Sequence, residues 1–436
     1  MVELATPVLR IESIDQEGRG VGHQHGKVVF VEGALTGERV EFTSYRRKAN
    51  FELATVGRIL QSSAARVAPR CAAFGVCGGC SMQHLDARAQ VAVKQRVLED
   101  NLERIGKVRP DQILPAIHGP SWGYRYRARL SARFVQKKNA MLVGFHERKS
   151  SFVADMRSCE ILPPNVSALL VPLRELIGAL SIRDRLPQVE LAMGEAAVVF
   201  CLRVLEPPQS ADLERIRQFA DDHGVQVFLQ PEGPASVARL WPEEAPPLQY
   251  HLSEFGLEFP FLPADFTQVN PDINQVLVRR AMQLLAPQPG ENVADFFCGL
   301  GNFSLAIARS GARVTGVEGN PALARRAMEN AKRNALEDRC RFLKQDLFEI
   351  QESDWQEMGH FDRILIDPPR DGAVALVKAM LNCPPQRIVY VSCNPATLAR
   401  DAEILVHHGG YRLAAAGVIN MFPHTSHVES VALFER

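Results

Sequence analysis

The 436-residue chain carries 50 Lys and Arg against 50 Asp and Glu, so no global charge draws it to nucleic acid or a membrane and any such affinity must come from a local patch. Its length suits roughly two to four domains, and a hydrophobic content of 46% is ample for their cores. The opening stretch has early acids and no apolar signal core, no run reaches the ~18 apolar residues of a membrane span, and nine cysteines without a secretion signal argue for metal or catalytic use over a disulfide framework. A soluble, cytoplasmic protein is therefore expected.

Up to about residue 60, short apolar runs at 28–31, 38–42 and 54–56 broken by glycines predict a small β-barrel. The strings Glu17-Gly18-Arg19-Gly20-Val21, Phe30-Val31-Glu32-Gly33-Ala34 and Gly37-Glu38 resemble the TRAM module, an OB-like barrel that binds RNA. That resemblance assigns 1–63 to a first domain. Its balanced charges also suit a purely structural barrel, and a soft linker at 61–65 follows.

Cys71, Cys77 and Cys80 then fall within ten residues amid small side chains, with Cys159 as the fourth available thiol. A backbone wound so tightly can aim amides at sulfur, as an iron–sulfur cluster requires. A four-thiolate zinc site uses the same residues, and spacing alone does not choose. Cys201, Cys298, Cys340 and Cys383 show no grouping and read as structural. Residues 87–105 predict an amphipathic helix with Val91, Leu98, Leu102 and Ile105 on its apolar face, suited to packing.

Between 121 and 150 the character changes, with eight Lys and Arg against the single acid Glu147. Trp122, Tyr124, Tyr126 and Phe134 interleave with Arg125, Arg127, Arg129 and Arg133. Alternation at period two puts guanidinium groups on one strand face for phosphates and leaves rings for unpaired bases. A solvated charged strand is the plainer alternative. Residues 151–230 read as mixed α/β, and Pro231, Pro234, Pro242, Pro246 and Pro247 mark a boundary. A central domain at 64–265 is expected.

From residue 266 the pattern becomes regular. Helix 272–285, strand 292–297, helix 302–309, strand 313–318, helix 322–334 and strands 340–344, 363–367 and 387–392 predict a mostly parallel sheet covered on both faces. Strands 411–418 and 429–434, with no helix between them, are expected to close its edge antiparallel. The turn from Asp295 to Asn302 carries Gly299 and Gly301 between the first strand and first helix, where a nucleotide-like ligand approaches backbone. Glu318 ends the second strand, where a carboxylate can grip ribose hydroxyls, and Gln345-Asp346 ends the third, where an adenine would lie. The GxGxxG of dinucleotide-binding dehydrogenases is not matched, since Ser304 stands at its last position. Cys393 follows an apolar strand and precedes the Asn394-Pro395 turn, where open α/β sheets bind ligands. It is the candidate nucleophile, weighed against the commoner fate of a buried structural thiol.

The glycine turn and the two carboxylate placements resemble the S-adenosylmethionine-binding fold of class I methyltransferases. Asp367-Pro368-Pro369-Arg370, Phe266-Thr267-Gln268, Ser392-Cys393-Asn394-Pro395-Ala396-Thr397 and His427-Val428-Glu429-Ser430-Val431 together resemble the RNA uracil-C5 methyltransferase family. With the barrel and four cysteines, the likeness spans nearly the whole chain and points to the iron–sulfur branch. It implies a Rossmann-like α/β methyltransferase domain at 266–436 using S-adenosyl-L-methionine, with Cys393 as nucleophile and Glu429 as base. It also implies Gln268, Phe297, Asn302, Glu318, Asp346 and Asp367 around cofactor and base, with Gln345 an alternative to Asp346. Cys71, Cys77, Cys80 and Cys159 are implied as ligands of a [4Fe-4S] cluster, and a uridine of 23S ribosomal RNA as the substrate of a monomeric enzyme.

Such a reaction explains the residue types. Uracil C5 is too poor a nucleophile to take a methyl group from a sulfonium, but a thiolate adding at C6 creates an enolate whose C5 can attack. The proton left on C5 must then go to a base before the thiol can leave. The helix amino terminus after Pro395 is expected to lower the thiol's pKa, Asp367 and Gln268 to read the uracil edge, and the target base to be flipped out of folded RNA. Two other classes stay open. An exocyclic-amine methyltransferase would use Asp-Pro-Pro-Arg without a cysteine nucleophile, and a non-catalytic RNA-binding protein would leave the cofactor turn idle.

Overall fold

The computed structural model describes residues 7–436, and residues 1–6, which belong to the expected first domain, lie outside them. Six short strands, Val8–Arg10, Ser13–Ile14, Gly20–Gln24, Lys27–Glu32, Arg39–Arg47 and Phe51–Gln61, form one sheet. The Glu12 N–H donates to the Val21 carbonyl at 2.8 Å and the Ile11 N–H to that of Glu38 at 2.9 Å, curling the sheet round Leu9, Val29, Val31, Val40 and Phe42. Only glycine fits where the strands cross, because a Cβ on Gly22 would sit 2.4 Å from the Arg10 carbonyl oxygen.

A second sheet runs in the order Ala238–Trp241, Gln226–Gln230, Val198–Arg203, Gln188–Met193, Arg127–Val135 and Ala140–Gly144. Helices Leu170–Ala179 and Ser210–His223 bury Leu173, Ile177, Ile216 and Phe219 in its core. This is the mixed α/β region, and its last strand lies inside the proline-rich stretch that the sequence reads as a boundary.

The third sheet is the largest, ordered Cys340–Lys344, Arg313–Glu318, Asn292–Phe296, Arg363–Ile366, Arg387–Ser392, Glu429–Glu435, Arg412–Ile419 and Gln112–Ile113. The first five are mutually parallel, and helices on both faces bury their apolar sides, as unbroken runs such as Arg387–Ser392 require. Three of the helices start alike. Asn270, Asn320 and Asn394 cap Pro271–Leu285, Pro321–Arg333 and Pro395–His407, each side chain accepting a first-turn N–H while proline fills the position whose N–H has no partner.

Two expectations are corrected. The final two strands do not simply close the edge: Glu429–Glu435 inserts antiparallel between Arg387–Ser392 and Arg412–Ile419, and Gln112–Ile113 finishes the rim. The run Ser430 to Phe434 is buried throughout, and apolar surface on both faces belongs inside a covered sheet. Nor is 64–265 one body, because helix Ala87–Arg104 packs against Pro395–His407 and joins the third sheet's core through Val97, Leu98 and Leu102. Its buried stripe is Gln90, Lys94, Val97, Leu98 and Leu102, with Ile105 exposed, so two polar residues occupy the face predicted to be apolar. Among the described residues no helix is long and apolar enough to cross a membrane.

Candidate active site

From Asn292–Phe296 the chain winds outward to Arg313–Glu318 and Cys340–Lys344, then returns to Arg363–Ile366 on the opposite side. Loops leaving Phe296 and Ile366 therefore diverge and open a crevice at the strands' carboxyl ends. A cleft of about 500 Å3 fills it, and its wall carries Gln268, Phe297, Glu318, Asp346, Asp367, Cys393 and Glu429. Seven of the eight residues expected around cofactor and base thus meet in one place.

The eighth, Asn302, does not reach the wall. Its side chain is exchanged with that of Asn274, amide to carbonyl in both directions at 3.0 Å, and it accepts the Tyr250 hydroxyl at 3.0 Å. It braces the glycine turn from behind. Asp346 lines the cleft and Gln345 does not.

At the turn, Phe297 is held at φ 64°, a left-handed conformation uncommon without glycine, by its N–H bond to the Val317 carbonyl at 2.9 Å. Gly299 N–H and Asn320 N–H donate to the two Glu318 oxygens at 3.0 and 2.8 Å, fixing the carboxylate at the cleft's edge. Asp346 accepts the Phe348 N–H at 2.9 Å, and the exposed Phe348 ring stands 5.7 Å from that of Phe297. Two rings between two carboxylates suit a flat heterocycle carrying a ribose.

The other end is reactive. Register pairs Ser392 with Ser430, so the next residues, Cys393 and Glu429, emerge together at the same end of adjacent strands. Burial raises Glu429 to about 7, offset partly by Lys94 and Arg370. Burial, then the facing Glu429 and Asp295 carboxyls, hold Asp367 well above its ordinary value, which favours its protonated form. The expected lowering of the thiol by the helix terminus is overturned: burial, then Glu429 and Asp367, push Cys393 up to about 11, and Arg370 offsets only part of this. Asn394 caps the helix and its side chain also donates to the Arg370 carbonyl at 3.0 Å, stitching the nucleophile turn to the Asp-Pro-Pro-Arg loop.

Sequence reasoning missed several wall residues. Arg370 contacts His427 at 3.1 Å, Phe422 stands beside His427, and Phe266 projects from the rim with 65% of its surface exposed. All but Phe422 lie inside motifs quoted for other residues. Lys94 bears electrostatically on Glu429 from helix Ala87–Arg104, and the signal for it was a lysine on the helix's buried stripe.

The four cysteines also meet. Cys71, Cys77, Cys80 and Cys159 line one small pocket of about 10 Å3, together with Phe74, Phe145 and Met156. Gly79 donates its N–H to Cys77 Sγ at 3.3 Å, and a Cβ there would lie 3.4 Å from that sulfur and 3.1 Å from the Phe145 ring. Burial raises the thiols, Cys80 to about 11 and Cys159 to about 12, so a positive centre must be present for them to ionise. Among the described residues no three His, Cys, Asp or Glu converge closely enough to grip one ion.

The basic segment is less free than its composition implies. Arg129 pairs with Glu190 and Lys138 with Asp155, each at 3.0 Å, Lys149 pairs with Glu32, and Arg127 is half-buried against the Pro263 carbonyl at 2.6 Å. Tyr124 is buried with its hydroxyl on the Pro423 carbonyl at 2.9 Å, and Trp122 stacks on His424 at 3.8 Å. Those two rings are packing groups, not platforms for bases. Arg129 and Arg133 do share the strand's exposed face, as the alternation predicts.

A parallel sheet with a glycine turn after its first strand and a carboxylate after its second is the S-adenosylmethionine-dependent methyltransferase class. The family described as tRNA (Uracil-5-)-methyltransferase matches residues 252–436. A protein of Nitrosospira multiformis named 23S rRNA (uracil(1939)-C(5))-methyltransferase RlmD is 60% identical over 435 residues, covering 99% of each chain. One of the same name from Aromatoleum aromaticum is 62% identical over 431 residues, covering 99% of this chain and all of its own. The crystal structure of Pyrococcus abyssi tRNA (uracil-54, C5)-methyltransferase with S-adenosyl-L-homocysteine shares the fold at TM-score 0.76 and 24% identity, over 98% of this chain and 100% of that one. This chain belongs to the RNA uracil-C5 methyltransferase family, among relatives that bear the 23S rRNA name.

Proposed function

We propose that this enzyme transfers a methyl group from S-adenosyl-L-methionine to C5 of a uridine in 23S ribosomal RNA, acting as a cytoplasmic monomer. The observation that carries the reading is the common cleft: Cys393, Asp367, Gln268 and Glu429 at one end, Glu318, Phe297 and Asp346 at the other. Glu318, Phe297 and Asp346 would hold the nucleoside of the methyl donor, which would supply its methyl group at the Cys393 end.

With its proton on, the form burial favours, Asp367 can donate to O4 and accept from N3–H of uracil. Gln268 holds the same edge. Cys393 reacts as its thiolate, the thiol proton having passed to solvent: Sγ bonds to C6, and the displaced electron pair goes to C5 and O4, where a hydrogen bond from Asp367 steadies it. C5 then takes the methyl group as its bond to the donor sulfur breaks. Glu429 accepts the C5 proton, the C5–C6 double bond re-forms and the Cys393 thiolate leaves. Mass mapping of 23S ribosomal RNA from a deletion strain complemented with native or Cys393→Ala protein tests this. One uridine should lose its methyl group in both the deletion and the variant, and methylation surviving Cys393→Ala would support the amine-methylating alternative.

Cys71, Cys77, Cys80 and Cys159 would hold a [4Fe-4S] cluster, a reading supported by the four thiols lining one pocket with the Gly79 N–H on Cys77 Sγ. The cluster would tie Cys159 to the 71–80 loop, and no step of the reaction passes through it. Protein purified without oxygen should contain iron and sulfide in near-equal amounts, and colourless protein with one zinc would refute the assignment. The amino-terminal sheet, read as a TRAM barrel, and the exposed Arg129 and Arg133 would hold nucleotides flanking the target.

A further inference from the structure

Residues 420–428 connect Arg412–Ile419 to Glu429–Glu435 and deliver Glu429 to the cleft. Many of the bonds holding this segment come from the other end of the chain. Ser81 and Met82 N–H groups both donate to the His424 carbonyl at 2.9 Å, the Ser426 N–H reaches Ser81 Oγ at 3.0 Å, and Trp122 and Tyr124 grip His424 and Pro423. Two further straps rise from one helix. Gln90 accepts the His424 N–H at 2.8 Å while donating to the Met82 and Leu85 carbonyls, and Lys94 Nζ donates to Asn420 Oδ1 and the Phe422 carbonyl, each at 2.8 Å.

Lys94 is 1% exposed, and its two acceptors are neutral. A buried ammonium with only neutral partners is costly unless an anion lies within reach. The anion here is Glu429, itself buried at the head of its strand. Lys94 is not on the cleft wall, so no substrate touches it. We propose that Lys94, with Gln90 one turn earlier, is a positioning residue that anchors the 420–428 segment delivering Glu429 and brings its buried ammonium to bear on that carboxylate as it takes the C5 proton.

The inference rests on Glu429 being the base. The groups facing Glu429 are Lys94 from the helix, Arg370 and Asp367 from the strand-end loop, Cys393 from the neighbouring strand and His427 on its own segment. Burial favours the protonated form of Asp367, pushes the Cys393 thiol up to about 11 and holds His427 neutral at about 4. Arg370 lies on the wall, open to the substrate. Lys94 lies off that wall, and although burial lowers its ammonium to about 7, Glu429 offsets part of this, so its charge bears on Glu429 through the acid limb. It also faces His424, likewise held neutral by burial.

The test is single-turnover methylation of transcribed 23S ribosomal RNA across pH 5.5–9, following both methyl transfer and the covalent protein–RNA complex. Lys94→Met removes the charge, and Asn420→Asp neutralises it with a nearly isosteric change should Lys94→Met fail to fold. Each should move the acid limb of product release up by about one pH unit, the lower end of what a nearby opposite charge does. Near pH 7 release should slow about fivefold, approaching tenfold at lower pH, and a methylated covalent complex should accumulate, with recovery toward pH 9 and unaltered affinity for RNA and donor. Glu429→Gln, run alongside, should accumulate the same complex at every pH. Profiles of Lys94→Met and Asn420→Asp that superimpose on the native one, while Glu429→Gln traps the complex, overturn the inference alone. Native-rate release by Glu429→Gln overturns the base assignment and this inference with it.

Discussion

Cys393 should be a poor nucleophile in the resting enzyme, and the extent can be worked out. A thiol raised from 9 to about 11 by burial and two facing carboxyl groups is about 100-fold less ionised at neutral pH. Thiolate nucleophilicity grows with basicity with a slope of about 0.4–0.5, returning roughly tenfold of that loss. Iodoacetamide should therefore alkylate Cys393 about tenfold more slowly at pH 7 than it does an unperturbed peptide thiol, as read by mass spectrometry of the Cys393 peptide. The rate should climb about tenfold per pH unit without levelling before pH 10. Glu429→Gln removes an anion facing the sulfur and should speed alkylation at pH 8.5, where native Glu429 is ionised, and barely at pH 5.5, where it is not. A plateau by pH 9 in the native protein would show that Cys393 does not feel those carboxyl groups.

Two further outcomes follow from the geometry. A carboxamide presents the same donor and acceptor as a neutral carboxyl, so Asp367→Asn should keep covalent-complex formation within about tenfold of native, while Asp367→Ala should lower it by about 10–100-fold; equal damage from both would mean Asp367 acts as an anion. Arg129→Glu with Arg133→Glu should weaken RNA binding and flatten its salt dependence by about two phosphate contacts' worth. An unchanged slope in filter binding at several salt concentrations would return that face to ordinary solvated strand. Arg127→Glu is not equivalent, because Arg127 packs on the Pro263 carbonyl and its reversal should unfold the region instead.

Much of the methyltransferase half was legible because each element announces itself locally. Asn-Pro pairs start three helices, unbroken apolar runs make the covered strands, and Glu318 ends its strand while Asp367 and Cys393 each sit one step past theirs. Position along a strand is enough to place a side chain at the crevice. The residues that escaped are placed by contacts between distant segments. Nothing near Asn302 announces that Asn274 and Tyr250 will turn its amide away, and nothing in the Tyr-Arg alternation says that Tyr124 will bury itself under Pro423. The thiol's pKa escaped for the same reason: the helix terminus is visible in sequence, whereas Glu429 and Asp367 facing the sulfur are a product of strand order. Lys94 was readable in part, since a helix pattern that leaves Gln90 and Lys94 on the stripe of Leu98 and Leu102 says that two polar groups are buried and must have partners.

The buried base should also cost the protein stability in a pH-dependent way. Glu429 titrates near 4.5 when unfolded and at about 7 when folded, the shift arising chiefly from burial. A carboxyl that holds its proton more tightly in the folded state contributes fully below pH 4.5 and loses that contribution as pH rises through about 7. The difference of about 2.5 units corresponds to about 3 kcal/mol lost by pH 8. A carboxamide in place of that carboxyl has no such proton to lose. Glu429→Gln should therefore match the native protein in thermal stability near pH 5 and exceed it by several degrees near pH 8, measured by calorimetry without ligands, even as it stops turning over. That pairing of gained stability with lost release is what a group kept for chemistry at a buried position produces. If the gap between variant and native is the same at pH 5 and pH 8, Glu429 is not held above its ordinary range, and the argument that it needs a cation such as Lys94 to stay ionised fails with it.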